Sequence, residues 1–331
     1  MTEDIDSIWF LRAGMFMKKK ITIIGAGAVG ATTAYALLAR GAASEIVLID
    51  INTEKALGEA LDIRQATPFL ENCDIYAGDY VDAKDSDVVI ITSGIGRKPG
   101  QTRLELVQTN VKIIESISAQ ITKYAPNAIY ILVANPVDIL TYAFLKYTGL
   151  PKRQVYGTGT VLDTSRLRTR LAEIYDVNKQ QVYANVLGEH GDTSFVAWSS
   201  ATIAGVPIDE YPKSIATPNR VIPEYSREDV EEYVKTSGSK IIARKGCTVY
   251  AIATASSHIV KVIAGDAQTA LTVSSLHEGE YGIKDVCLSS LSLVGDDGVN
   301  SIITQPLSDE ELKKLYASAE ALKAVIRGVG L

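Results

Sequence analysis

Gly25, Gly27 and Gly30 form the spacing GxGxxG within KITIIGAGAVGATTAYALL, directly after an apolar run and at the head of an Ala-rich stretch. That pattern suits a nucleotide pyrophosphate. The first glycine permits a tight turn, the second lets the backbone approach the phosphates, and the third lets the helix lie close on its strand. Amides at the helix N-terminus then face the phosphates. Asp50 ends the next apolar run, EIVLID, where a carboxylate can accept both hydroxyls of a ribose and would repel a 2′-phosphate. These residues predict a dinucleotide site selective for NAD over NADP; for Asp50 the alternative is a helix cap or a loop acid. Asn135, at the end of IYILVAN, is expected at the carboxyl edge of a parallel sheet, where its amide reaches nicotinamide or substrate. Turn chemistry before Pro136 is its alternative.

A second set of residues could move protons and hold anions. The chain has three histidines, and one of them, His190, lies in NVLGEHGDTS with Gly188 and Gly191 beside it. VLDTSRLR carries Asp163 and Arg166 at a spacing that puts both on nearly the same face of a helix. SGIGRKPGQTR is polar and holds Gly94, Gly96, Pro99 and Gly100, a composition suited to a mobile lid over residues 94–104. There is no GxxxxGK[ST] and no HExxH, so neither a phosphate-binding loop of that kind nor a zinc site is expected, and no metal is assigned.

The elements that must position these groups are legible as a pattern. Residues 20–50 read as strand, glycine turn, helix and strand. The pattern repeats with DVVIIT, the helical stretch 104–124 and IYILV. Unbroken Val/Ile runs alternating with helices imply a parallel sheet buried on both faces. The fold expected is α/β: a Rossmann-type doubly wound parallel sheet over residues 18–159, followed by a mixed α+β substrate domain over 160–331. In the second part a helix is expected over 163–175, short strands over 182–187 and 195–201, a long helical stretch over 228–264 broken near Gly246, and a final helix capped by SDEE.

Composition limits the partners. In 331 residues, 47% hydrophobic content supplies a core, and a net charge of −6 argues against nucleic acid or an anionic membrane surface. A small anionic substrate must then be held by a local cationic pocket. Cys73, Cys247 and Cys287 are widely spaced without a CxxC, which fits a reducing compartment and a cytoplasmic protein. No apolar run is long enough for a membrane helix. Residues 1–17 open with acids and lack the layout of a secretory signal. They read as an N-terminal extension, either an ordered arm on a neighbouring subunit or an added segment.

VLDTSRLR, NVLGEHGDTS, GEALDIRQATPF, RKPGQTRLELVQTN and YGIKDVCLS together resemble the L-lactate dehydrogenase family, from about Lys20 to Ile326. The resemblance implies an NAD-dependent dehydrogenase of 2-hydroxy acids. It makes His190 the proton donor and acceptor and Asp163 the carboxylate that orients it. Arg166 becomes the clamp on the substrate carboxylate, and Arg103 the residue that closes over the substrate and polarises its carbonyl. Thr248 would wall the pocket on the side of the substrate's methyl. His258 and His277 have no such context and read as structural. A homo-oligomer, tetramer or dimer, is implied. A non-catalytic NAD-binding protein is the competing reading from another class.

Two positions depart from the resemblance. Arg97 falls where lactate dehydrogenases of this kind carry Gln and the related malate dehydrogenases carry Arg. A buried Arg facing the methyl of pyruvate would be an unpaired charge. Facing the distal carboxylate of oxaloacetate it would gain a charge-assisted bond, on a Coulomb scale of about 4 kcal/mol at an effective dielectric of 20. Arg97 can also extend into solvent and tolerate pyruvate. The second departure concerns fructose 1,6-bisphosphate. Related bacterial enzymes bind this effector through an Arg, matched by Arg168, and a His, where this chain has Tyr183. One cation fewer predicts weak or absent activation.

Overall fold

The computed structural model describes residues 19–96, 100, 102–215, 222–265 and 267–331, with Arg103 through its main chain only. The expected extension over 1–17 and Arg97 lie outside the described residues. The first half of the chain forms β1 (Lys20–Ile24), α1 (Ala28–Ala39), β2 (Glu45–Ile49), α2 (Thr53–Arg64), β3 (Asp74–Ala77), β4 (Val88–Ile91), α3 (Arg103–Tyr124), β5 (Ile129–Leu132), α4 (Val137–Thr148) and β6 (Val155–Gly157). The second half opens with α5 (Val161–Tyr175), β7 (Val182–Tyr183), β8 (Val186–Leu187), β9 (Phe195–Val196), β10 (Thr202–Ile203) and β11 (Val206–Pro207). It continues with α6 (Tyr211–Ser214), α7 (Arg227–Lys245), α8 (Tyr250–Ile263), β12 (Thr269–Leu271), β13 (Ser274–Glu278), β14 (Lys284–Ser289), β15 (Ser292–Gly295), β16 (Gly298–Ile302) and α9 (Asp309–Gly328).

β3, β2, β1, β4, β5 and β6 lie side by side in that order, all parallel. The reversal between β1 and β4 opens a crevice at the carboxyl ends of these strands, the usual ligand position in such sheets. Alternate residues face opposite sides. Val88 and Ile90 join one core with Leu37, Ile63 and Ile259 from α1, α2 and α8. Val89 and Ile91 join another with Ile114, Leu140 and Leu322 from α3, α4 and α9. Both faces are therefore covered, which is why these strands read as continuous apolar runs.

The second half is not a detached body. β13 and β14 extend the same sheet antiparallel, β13 pairing with β6 at Ser274–Gly157. A separate core gathers Leu167 and Leu171 of α5, Val230 and Val234 of α7, and Val186, Val196 and Trp198. The helical stretch divides as expected: α7 ends at Gly246, whose φ of 86° stops the helix, and α8 begins at Tyr250. α9 opens with a capping box between Ser308 and Glu311. The strand expected over 195–201 is shorter. Only Phe195–Val196 pairs as strand, and Trp198–Ser200 turns in a 3-10 helix, where Glu311 accepts from Ser199 N at 2.9 Å and Ser199 Oγ at 2.5 Å. Among the described residues no helix is long and apolar enough to cross a membrane.

Candidate active site

The glycine turn joins β1 to α1 beside the reversal in strand order. Gly25 has φ of +108°, and a Cβ there would meet Thr92 Oγ1 at 2.6 Å. Its main chain is fixed by bonds from Gly25 N to Ile49 O (2.7 Å) and from Thr92 Oγ1 to Gly25 O (2.8 Å). A Cβ on Gly30 would lie 1.8 Å from Gly25 O, so the helix can pack this close only with glycine. Gly27 differs: a Cβ on it would meet nothing within 4 Å. Gly27 is also the N-cap of α1, with no side-chain cap and no acid in the first turn. The amides of α1 thus remain available to an anion at the positive end of the helix dipole.

Asp50 lies just past β2 and binds this loop. Its Oδ2 accepts from Ala26 N at 2.7 Å and its Oδ1 from Asn52 N at 2.9 Å. It does not cap α2; Asn52 does, accepting from Lys55 N. Each carboxylate oxygen has further lone pairs for ribose hydroxyls. The open side of Gly27, the free helix amides and this carboxylate fit a dinucleotide. Asn135 is exposed after β5, with its carbonyl bonded by Asn110 Nδ2 at 2.8 Å and its own Oδ1 accepting weakly from Val137 N at 3.4 Å. Buried Asn110 also grips the start of the expected lid, donating to Ile95 O (3.2 Å) and accepting from Ile95 N (2.9 Å). The far end of that segment is tied by a capping box between Thr102 and Glu105 at the start of α3.

The proton-moving residues converge from separate elements. Asp163 and Arg166 share a face in the first half of α5, as their spacing predicts, and Arg166 Nη1 donates to Asp163 Oδ1 at 2.8 Å. The other oxygen, Asp163 Oδ2, lies 2.6 Å from His190 Nδ1. Gly238 of α7 faces the guanidinium: a Cβ there would lie 3.6 Å from Arg166 Nη2, in ordinary contact. His190 retains 27% side-chain exposure, against 8% for Asp163 and 14% for Arg166. The imidazole is thus reachable while its carboxylate partner is not.

Electrostatics follow from the packing. Burial presses the His190 imidazole towards its neutral form. The charge and hydrogen bond of Asp163, with the charge of Asp138, outweigh burial and Arg166, so its pKa lies above the ordinary histidine value. Burial works against ionised Asp163 too, but His190 and Arg166 hold its carboxyl below the usual range. The pair is therefore prepared to carry a proton on the ring with the negative charge on Asp163.

The sequence reading passed over three residues that hold this loop. Asp138 of α4 accepts from His190 N at 2.8 Å, and Ser274 of β13 donates to Asp138 at 2.5 Å. Ser318 of α9 accepts from Glu189 N at 2.7 Å. Asp138 follows Asn135-Pro136 closely, and that proximity was the available signal; nothing local marks Ser274 or Ser318. Thr248 lies half-buried between α7 and α8. His258 sits on α8, and His277 is fully buried with Nε2 2.9 Å from Ser290 Oγ. Arg168 spends its guanidinium on Ala184 O and Asn185 Oδ1, both at 3.0 Å, while Tyr183 is exposed.

The glycine turn follows β1, and Asp138, which holds the His190 amide, follows β5, so both groups of residues belong to the carboxyl edge of one sheet, an arrangement that suits hydride transfer coupled to proton transfer. The protein is an NAD-dependent oxidoreductase of the Rossmann class. Similarity narrows the class. The lactate/malate dehydrogenase NAD binding domain matches residues 19–157, and the alpha/beta C-terminal domain of the same family matches residues 160–329. The chain belongs to the lactate/malate dehydrogenase family. It is 48% identical over 307 residues to an L-lactate dehydrogenase of Clostridium perfringens, covering 93% of this chain and 96% of that one. An L-lactate dehydrogenase of Acetivibrio thermocellus is 47% identical over 309 residues, covering 93% and 96%. Among solved structures, the minor L-lactate dehydrogenase from Enterococcus mundtii in its ligands-bound form superposes with a TM-score of 0.90 at 39% identity, covering 95% of this chain and 99% of that one.

Proposed function

We propose that the protein interconverts pyruvate and L-lactate and, through Arg97, also handles oxaloacetate and L-malate. The observation that carries this reading is the 2.6 Å contact between His190 Nδ1 and Asp163 Oδ2, with Arg166 on the other carboxylate oxygen. Residues 18–159 bind the cofactor in this reading and 160–331 the substrate. NADH, when bound at Gly25, Gly27, Gly30 and Asp50, supplies the hydride for the substrate's C2. His190, tied at Nδ1, gives a proton from Nε2 to the C2 oxygen, and in the reverse direction takes it back. Asp163 fixes the tautomer and stabilises the charged ring. Arg166 grips the substrate carboxylate with N–H groups not spent on Asp163. Arg103 polarises the carbonyl when the lid over 94–104 closes, Asn135 bonds nicotinamide or substrate, and Thr248 walls the methyl side.

A malate dehydrogenase on this scaffold is the second reading, favoured by Arg97 alone. Loss of NADH absorbance with pyruvate and with oxaloacetate separates the two. The expected result is turnover of both, with the kcat/KM ratio moving towards pyruvate by about a hundredfold in Arg97→Gln, a ~2.7 kcal/mol change. A wild type that prefers pyruvate, with a ratio unmoved by the substitution, removes Arg97 as the selector. Turnover of neither substrate leaves the non-catalytic reading.

The reading extends to a cytoplasmic homo-oligomer, dimer or tetramer. Leu57 and Leu61, one turn apart on α2, and Phe69, 87% exposed, are open apolar side chains that a second copy of the chain could cover. Weak or absent response to fructose 1,6-bisphosphate belongs to it as well, since Arg168 is already committed and Tyr183 brings no charge.

A further inference from the structure

His277 is a titratable group that the reaction above does not use, and its setting is the reverse of His190's. It lies on β13, fully buried, with both ring nitrogens taken: Nδ1 is 3.1 Å from Ser275 O and Nε2 is 2.9 Å from Ser290 Oγ. A carbonyl only accepts, so Nδ1 carries the hydrogen, and Nε2 of the neutral ring accepts from the Ser290 hydroxyl. Neither partner is a carboxylate. A proton added at Nε2 would therefore put an unpaired charge in a buried place, where the neutral ring already has both of its bonds.

The surroundings do not offset that charge. Lys152, before β6, and Glu280, after β13, are the charged groups that act on the ring; they lie 3.8 Å apart, so the acid is already shared with a cation. β6 itself brings only VYG. Lys284 and Asp285 are exposed at the start of β14, and Asp138 of α4 is engaged with Ser274 and the His190 amide. Burial accordingly holds the His277 pKa below the ordinary histidine value, against the Ser275 bond and Glu280. An apolar side chain would fill such a place without this liability, so packing does not account for the imidazole.

Its position ties it to the acid–base end. Ser274, three residues earlier on β13, donates to Asp138, which holds the His190 amide. Ser290 follows Ser289, whose main chain exchanges two bonds of 2.9 Å with Gly188. Both of these fastenings of the His190 loop depend on the paired strands β13 and β14, which His277 links to Ser290.

We propose that His277 is an acid-sensitive latch: neutral, it closes the β13–β14 pair beside the His190 loop, and protonated, it loosens that pair and the loop's two fastenings with it. The activity arm of its test rests on reading His190 as the proton carrier; the other arms do not.

The test compares wild type with His277→Gln, which keeps a polar side chain for Ser290 but takes up no proton. With its folded midpoint depressed, His277 contributes stability that is present above the ordinary histidine value and lost as pH falls through that midpoint. Between about pH 7.5 and 5.5 the wild-type Tm should drop about 2–4 °C further than the variant's. NMR titration of the wild type should give a His277 midpoint below that of a free imidazole, the signal being identified by its absence from the variant. His190 alone gives pyruvate reduction no acid limb, since it is protonated throughout. The wild-type kcat should nonetheless fall reversibly in acid, and that limb should move acidward by about half a pH unit or more in the variant, with KM for NADH at neutral pH unchanged. A His277 midpoint at or above the free value overturns the proposal. A Tm dependence and acid limb unmoved in the variant overturn it equally, and pass the acid response to Asp138, whose carboxyl burial pushes up to about 6. Should His277→Gln not fold, His277→Leu takes its place in each comparison. Absence of wild-type turnover with either 2-oxo acid would defeat the functional reading, and Tm and NMR would still decide the fate of His277.

Discussion

The two ends of the site are built by opposite means. The cofactor end comes from one contiguous stretch, β1 to Asp50, and works through main chain: a turn at Gly25, a close approach at Gly30, open amides beyond Gly27. The acid–base end joins α4, α5, the loop around His190, β13 and α9, and works through side-chain charge in a buried place. Backbone shape depends less on what surrounds it: the closest approach, between Gly30 and Gly25 O, is local, and the one distant neighbour of the turn is the segment at Thr92 that crowds Gly25. Charge depends on it more, because a carboxylate at 2% or 8% exposure acquires its strength from whatever else the fold brings against it.

The largest effect should break the acid–base end alone. His190→Asn is expected to lower kcat/KM for pyruvate by roughly 10²–10⁴-fold while leaving NADH affinity, read by fluorescence titration, unchanged. The wild-type pH profile carries the sign: with its pKa raised, His190 stays protonated beyond the range of a free imidazole, so pyruvate reduction falls, and lactate oxidation rises, only as pH climbs through that higher midpoint. A substituted enzyme that keeps this limb would show that another group titrates.

Smaller effects sharpen the cofactor end, where one substitution at two positions should have different consequences. Gly30→Ala forces a Cβ to within 1.8 Å of a main-chain oxygen. It should destabilise the fold by about 1–3 kcal/mol, seen as a lower Tm in the ligand-free protein. Gly27→Ala meets no protein atom within 4 Å. Its Tm should be unaltered and its Kd for NADH about tenfold weaker, or ~1.4 kcal/mol. Equal losses of Tm in both would mean that the open side of Gly27 is not where the cofactor approaches.

The parallel sheet was legible because burial on both faces demands unbroken apolar runs, and β1, β4 and β5 supply them. The short strands of the second half carry no such signature. β13 reads SSLHE, yet it completes the sheet, because Ser274 packs against Gly157 and its hydroxyl is paid for by Asp138. The acid–base residues were placed by motif resemblance, and their spacing accounts only for the Asp163–Arg166 pair. That Arg166 spends one nitrogen on Asp163, that Arg168 points into Ala184 and Asn185, and that Asp138 holds the His190 amide depend on distances no local pattern encodes.

By itself, then, the sequence determined the glycine turn, the carboxylate at Asp50 and the alternation of strand and helix, because each follows from steric or periodic rules within one short segment. The tertiary structure alone decided which groups surround His190. Asp138 reaches its loop from 52 residues away and Ser318 from 129, with Ser274 bonded to Asp138 across 136 residues of chain, and only folding makes them neighbours at hydrogen-bond range, where burial sets what their charges are worth.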